Sequence, residues 1–130
     1  MASQMGDRSA EHKMQIGKIG EDLAEQFLRK KGWEIIQRNF KARYGEIDIV
    51  ALDHKTLVFV EVKTRIGMAY GTPEESVTPR KLREVVETAR FYKSLHPKLP
   101  EALRVDVIGI LLDAATRTQR YFKHTQNVTL

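Results

Sequence analysis

The chain has no cysteine. That excludes disulfides, thiolate zinc sites and cysteine nucleophiles. It has no apolar run near the roughly 20 residues that cross a bilayer, so no membrane span is expected. Residues 1–13 lack the apolar stretch of a secretory signal. The four histidines are scattered, without the spacing of a metal site. No P-loop, dinucleotide fingerprint or nucleophile elbow is present, and there is no internal repeat or low-complexity tract. Together these absences point to a reducing, cytoplasmic setting.

What is present is a chain of 130 residues, enough for one domain with a real core. Lys and Arg outnumber Asp and Glu 22 to 17, a net charge of +5 that suits a polyanionic partner. Residues 1–13 are polar and expected to be disordered, leaving residues 14–130 as the single domain. A first helix is expected from Met14 to Lys31, with Ile16, Gly20, Leu23 and Phe27 as its apolar stripe and Gly32 as its left-handed cap. Trp33 to Asn39 reads as a strand. Two apolar strands follow, Gly45 to Leu52 and Val58 to Ile66, joined across the polar loop Asp53-His54-Lys55-Thr56. After a loop carrying Gly71 and Pro73, Thr78-Pro79 gives an N-cap and a first-turn proline for a second helix to Leu95. Leu103 to Leu112 and Gln119 to His124 complete the set as strands. Apolar strands that need cover on both faces imply an α/β sandwich in the order α-β-β-β-α-β-β.

The two central strands carry charges where burial is expected. Glu61 and Lys63 lie two residues apart, hence on one side of their strand. If Leu52 faces Leu57, Asp48 falls opposite Glu61 and Glu46 opposite Lys63, with Cβ atoms about 4.5–5.5 Å apart. Two carboxylates at that distance repel, and a divalent cation such as Mg²⁺ would remove the conflict. The alternative is a cross-strand salt bridge from Glu46 to Lys63, with Asp48 at a solvated edge. Glu21 sits at the margin of the first helix's stripe, where a glutamate is ordinarily solvated.

Asp48 followed by Glu61-Val62-Lys63 on the next strand resembles the PD-(D/E)XK nuclease superfamily. More narrowly, the chain is similar to the YraN family, whose members resemble archaeal Holliday-junction resolvases. The resemblance rests on Gly20-Glu21 with Ala24, Arg38-Asn39-Phe40, Gly45-Glu46-Ile47-Asp48, Phe59 to Arg65, Gly71, Lys81, and Arg104 with Asp106. Ile47 stands where the superfamily's name has proline, and Val105 where an aromatic is commoner in the family.

The resemblance implies a restriction-endonuclease-like core, a mixed central β-sheet flanked by helices. It implies a metal-dependent nuclease acting on DNA, branched or junction DNA included. Asp48, Glu61, the Val62 carbonyl and Glu21 would hold Mg²⁺ or Mn²⁺, and Lys63 would act on the attacking water or the phosphate. Lys81 matches a family position and is the foremost expected phosphate contact. Lys41, Arg43, Arg65, Arg80 and Arg83 flank the acidic strands and would ring the site with positive charge. Tyr44 and Tyr70 are loop tyrosines that would either pack or stack on a base. Arg104 and Asp106 read as a structural ion pair. Junction cleavage would suit a two-fold homodimer. The rival expectation is a non-catalytic module that keeps the fold and grips DNA.

Overall fold

The computed structural model describes residues 2–67 and 71–128, with side chains from residue 9 onward; Tyr70 lies outside the described residues. Helix α1 spans Ala2–Lys30, so it begins well before Met14, its expected start, and takes in the polar N-terminal stretch. It ends as Gly32 predicts. Gly32 adopts φ 90°, its N–H donates to the Arg29 carbonyl at 3.0 Å, and the Trp33 N–H donates to the Leu28 carbonyl at 3.1 Å. That double bond pattern is a Schellman cap, and it seats Trp33 in the core beside Leu28.

Strands β1 (Glu34–Ala42), β2 (Gly45–Asp53) and β3 (Thr56–Ile66) form an antiparallel meander. A short 3₁₀ turn at Glu74–Ser76, not foreseen in the loop, precedes helix α2 (Pro79–Leu95). The expected cap is present: the Lys81 N–H donates to the Thr78 hydroxyl at 3.1 Å. Strands β4 (Ala102–Leu112) and β5 (Gln119–Thr125) finish the chain. The sheet order is β1-β2-β3-β4-β5, with β3 and β4 parallel and every other pair antiparallel. This is the mixed sheet flanked by helices, in the α-β-β-β-α-β-β order, consistent with a restriction-endonuclease-like fold.

Each face of the sheet has its own core. On one, Ile49, Ala51, Val58, Val60, Ile108 and Ile110 pack under α1 through Ile16, Ala24 and Leu28. On the other, Ile47, Val50, Leu57 and Phe59 pack under α2 through Val85, Ala89 and Tyr92. Ile47 and Ile49 ought to share a face by strand alternation, yet they join opposite cores. The same switch occurs on β1. There Arg38 reaches α1 acids while Phe40 meets the Tyr92 ring of α2 at 4.9 Å. Between them Asn39 takes the left-handed conformation, φ 53°. Arg38 pairs with Ile49 and Phe40 with Ile47, so the pleat reverses on both strands at one level, the level of Asp48.

The candidate acidic site and its family

That reversal positions the site. The β2–β3 ladder follows the expected register from Asp53 to Ile49, which pairs with Val60, and goes no further. At the next residue the Asp48 carboxylate replaces the ladder, accepting the Val62 N–H at 2.7 Å. Asp48 is thus tied to the β3 backbone beside Glu61. Both acids are nearly buried, at 6% and 8% exposure.

Burial pushes the Asp48 carboxyl up to about 6, against the stabilising Val62 N–H, and the charge of Glu21 pushes the same way. Glu61 is driven further, to about 8, by burial and then by the adjacent Asp48. The two carboxyls act on each other, and the charge of Lys81 partly offsets the rise at Glu61. Glu61 Oε2 is buried and has no partner among the described residues. Such an atom carries a desolvation cost of about 1–3 kcal/mol unless something occupies its lone pairs.

The acids open onto a cleft of about 710 Å³ lined by Glu46, Asp48, Glu61, Lys63 and Arg65 on the strands and by residues of α1. Lys63 therefore shares the site with Glu61, as its spacing requires. Glu46 and Lys63 make no ion pair among the described residues. Glu46 instead stands opposite Lys41 in the β1–β2 register, so the expected Glu46–Lys63 facing pair is corrected by the early end of the ladder.

Glu21 is close enough to perturb Asp48, but its carboxylate is held by Arg38 at 3.2 Å. It lines a neighbouring hollow of about 610 Å³ with Arg38 and Asn39. Among the described residues no group of three or more His, Asp or Glu side chains converges as a metal-binding set. Arg38 also reaches Asp22 at 2.6 Å and Glu25 at 3.6 Å, clamping three acids of α1 to β1. That role is not visible in the sequence, because the partners lie more than a dozen residues away.

The basic residues divide. Arg65 lines the cleft, and Lys81 acts electrostatically on Glu61 from the first turn of α2. Arg80 is exposed and pairs with Glu84 at 3.6 Å; Arg83 is exposed too. Lys41 and Arg43 are exposed at the β1–β2 hairpin and do not line the cleft; Arg43 lies 5.9 Å over the ring of Tyr44. Arg104 and Asp106 form the expected structural pair, a fork at 2.9 and 3.1 Å. His124 at 2.8 Å and the Asn127 N–H complete the shell of Asp106.

Two contacts at the site were not anticipated. Gly20 lets α1 approach β3 so closely that a Cβ there would lie 1.8 Å from Thr64 Oγ1. His12 and Lys13 line the cleft from the N-terminal part of α1. Their spacing of four and three before the buried Ile16 is the one sequence signal for them.

The chain is similar to UPF0102 proteins from many bacteria. It is 46% identical over 99 residues to one from Syntrophomonas wolfei, covering 76% of this chain and 86% of the relative. It is 44% identical to one from Persephonella marina over 73% of this chain and 82% of the relative. With one from Nocardia farcinica it shares 39% identity over 88% of this chain and 87% of the relative. The profile described as "Uncharacterised protein family UPF0102" matches residues 20–110, which hold Glu21, Asp48, Glu61, Lys63 and Lys81, and the chain belongs to that family.

Proposed function

We propose that the protein is a nuclease of Mg²⁺ or Mn²⁺ dependence that hydrolyses phosphodiester bonds in DNA, branched or junction DNA included. The observation that carries this reading is the buried acid pair: Asp48 and Glu61 are both nearly buried, burial pushes both carboxyls up, and Glu61 Oε2 has no partner among the described residues. A hard divalent cation fits that donor set, since it takes carboxylate and carbonyl oxygens and favours the ionised pair. Asp48 and Glu61 would hold it, with the Val62 carbonyl and Glu21 as further donors. When bound, the cation lowers the pKa of water and polarises a phosphate oxygen.

The rest falls to the chain. Asp48 is fixed to the Val62 N–H and lines the cleft together with Glu61. Lys63 offsets charge on the phosphate, a task suited to a lysine, whose ordinary pKa is too high for a base at neutral pH. Arg65 and Lys81 hold the flanking phosphates. Function on a junction would engage two copies, and the cytoplasm is the setting in which we place the protein. The test is incubation with labelled branched, single-stranded and duplex DNA in Mg²⁺, Mn²⁺ or chelator. Cleavage with metal and none in chelator is expected; no cleavage of any substrate with either metal overturns the reading.

One observation favours a second reading, a module that grips DNA without cutting. Glu21 is engaged by Arg38, and among the described residues no group of three or more His, Asp or Glu side chains converges as a metal-binding set. That reading expects salt-sensitive DNA binding with no metal-dependent product.

A further inference from the structure

The cleft has two walls. One is β3, carrying Lys63 and Arg65; the other is α1, carrying His12, Lys13, Ile16 and Gly17. The α1 wall lies N-terminal to the family match at residues 20–110. Ile16, 7% exposed, anchors that part of the helix in the core, while His12 and Lys13 are exposed.

A distant element holds this wall in place. Arg117, from the β4–β5 turn, donates to Gln15 Oε1 at 3.1 Å and meets His12 Nδ1 at 2.9 Å. Guanidinium can only donate, so His12 Nδ1 accepts and a neutral ring carries its proton on Nε2. Arg117 itself stands at φ 59°, in a turn closed by its N–H to the Asp113 carbonyl at 2.8 Å. A residue in a sparsely populated conformation, spanning 102 positions of sequence to reach Gln15, fixes where the helix lies over the cleft.

We propose that His12 and Lys13 form the second wall of a nucleic-acid backbone site, gripping phosphates opposite Lys63 and Arg65, with Arg117 as the positioning residue that holds that wall. The proposal rests on the nuclease reading and adds a subsite to it. Donors on both sides of an acidic floor match an anionic chain lying along the cleft with one phosphate over the acid pair. Phosphodiester contacts of this kind fix register and carry no base information.

The test uses the full chain and fluorescence anisotropy on labelled duplex and branched DNA in chelator, at about 50 to 200 mM salt. Lys13→Gln should weaken binding several-fold and lower the slope of log affinity against log salt by about one. Lys13→Arg should restore both, and Mn²⁺ affinity by calorimetry should not change in either variant. Arg117→Lys keeps the charge but not the two-pronged grip, so it should weaken binding as much as Arg117→Ala does. If Arg117→Lys binds like wild type, Arg117 meets phosphate directly and its positioning role is wrong. If wild type binds DNA and Lys13→Gln matches it in affinity and slope, the second wall is wrong while the nuclease reading stands. Wild type with no salt-sensitive DNA binding overturns both.

Discussion

Two nearly buried carboxyls side by side are costly when both are ionised. The cost has a definite pH dependence. The folded pKa values of Asp48 and Glu61, about 6 and about 8, lie above ordinary carboxylate values. The folded state therefore holds protons that the unfolded chain has released, and this site's contribution to stability falls as pH rises from about 5 to about 8. Asp22, Asp53, Asp106 and Asp113 are shifted down instead. Their contribution is complete above the ordinary carboxylate range and is lost only in acid, so it does not mask the effect near neutrality. Thermal unfolding without metal should show a lower Tm at pH 8 than at pH 6, and Asp48→Asn should flatten that difference. Mn²⁺ should raise Tm more at pH 8 than at pH 6, because it need displace fewer protons. Equal Mn²⁺ stabilisation at both values would show that the pair is not where the cation binds. The Asn side chain keeps an oxygen for the Val62 N–H, so Asp48→Asn should fold, bind DNA as well or better in chelator, and lose metal-dependent cleavage. A wild-type cleavage rate in that variant would place the chemistry elsewhere.

At the scale of elements, the site depends on how tightly α1 sits on β3. Gly20 is the seat: Thr64 occupies the space a side chain would need, with its Cβ 2.8 Å and its Oγ1 1.8 Å from where a Cβ would stand. Gly20→Ala should therefore destabilise the protein by about 1–3 kcal/mol, although alanine is the better helix former. Thr64→Ala in the same chain should recover part of the loss in denaturant unfolding; no loss at all in Gly20→Ala would mean the helix rides higher than described. Glu21 follows Gly20 directly, so lifting α1 also moves its charge away from Asp48. The elements themselves were legible because their signals are local: the Thr78-Pro79 cap, the Gly32 terminus and the polar hairpin loop after Asp53 each mark a boundary. Glu61 and Lys63 on one side of β3 followed from period two, and the β2–β3 register as far as Ile49 from the hairpin that sets Leu52 opposite Leu57. The reversal at Asn39 and Asp48 was not legible, since strand alternation is what the sequence pattern assumes. The Arg38 clamp and the Arg117 contact escaped for another reason: they join residues far apart in sequence, and only the packed fold brings them together.

Over the whole molecule, the net charge of +5 is distributed with a purpose if the cleft takes nucleic acid. The cleft floor is acidic, Lys63 and Arg65 of β3 line it, and the charge of Lys81 on the first turn of α2 reaches Glu61. A polyanion would be attracted by the rim and admitted to the floor once a cation neutralises the acids. Affinity for DNA should therefore fall steeply with salt, as phosphate contacts release counterions. Lys81→Ala tests the arrangement with two readouts. The Lys81 charge lowers the pKa of Glu61, so its removal should push Glu61 higher and shift Mn²⁺ affinity and its pH dependence near neutrality. The same substitution removes a phosphate contact, so it should weaken DNA binding about equally for all sequences and reduce the salt slope by about one. A remote surface lysine would change the salt slope and leave Mn²⁺ affinity alone. A lysine that reads bases would alter sequence preference. Only a lysine poised between the acid pair and the bound backbone moves metal affinity and salt slope together, with sequence preference unchanged.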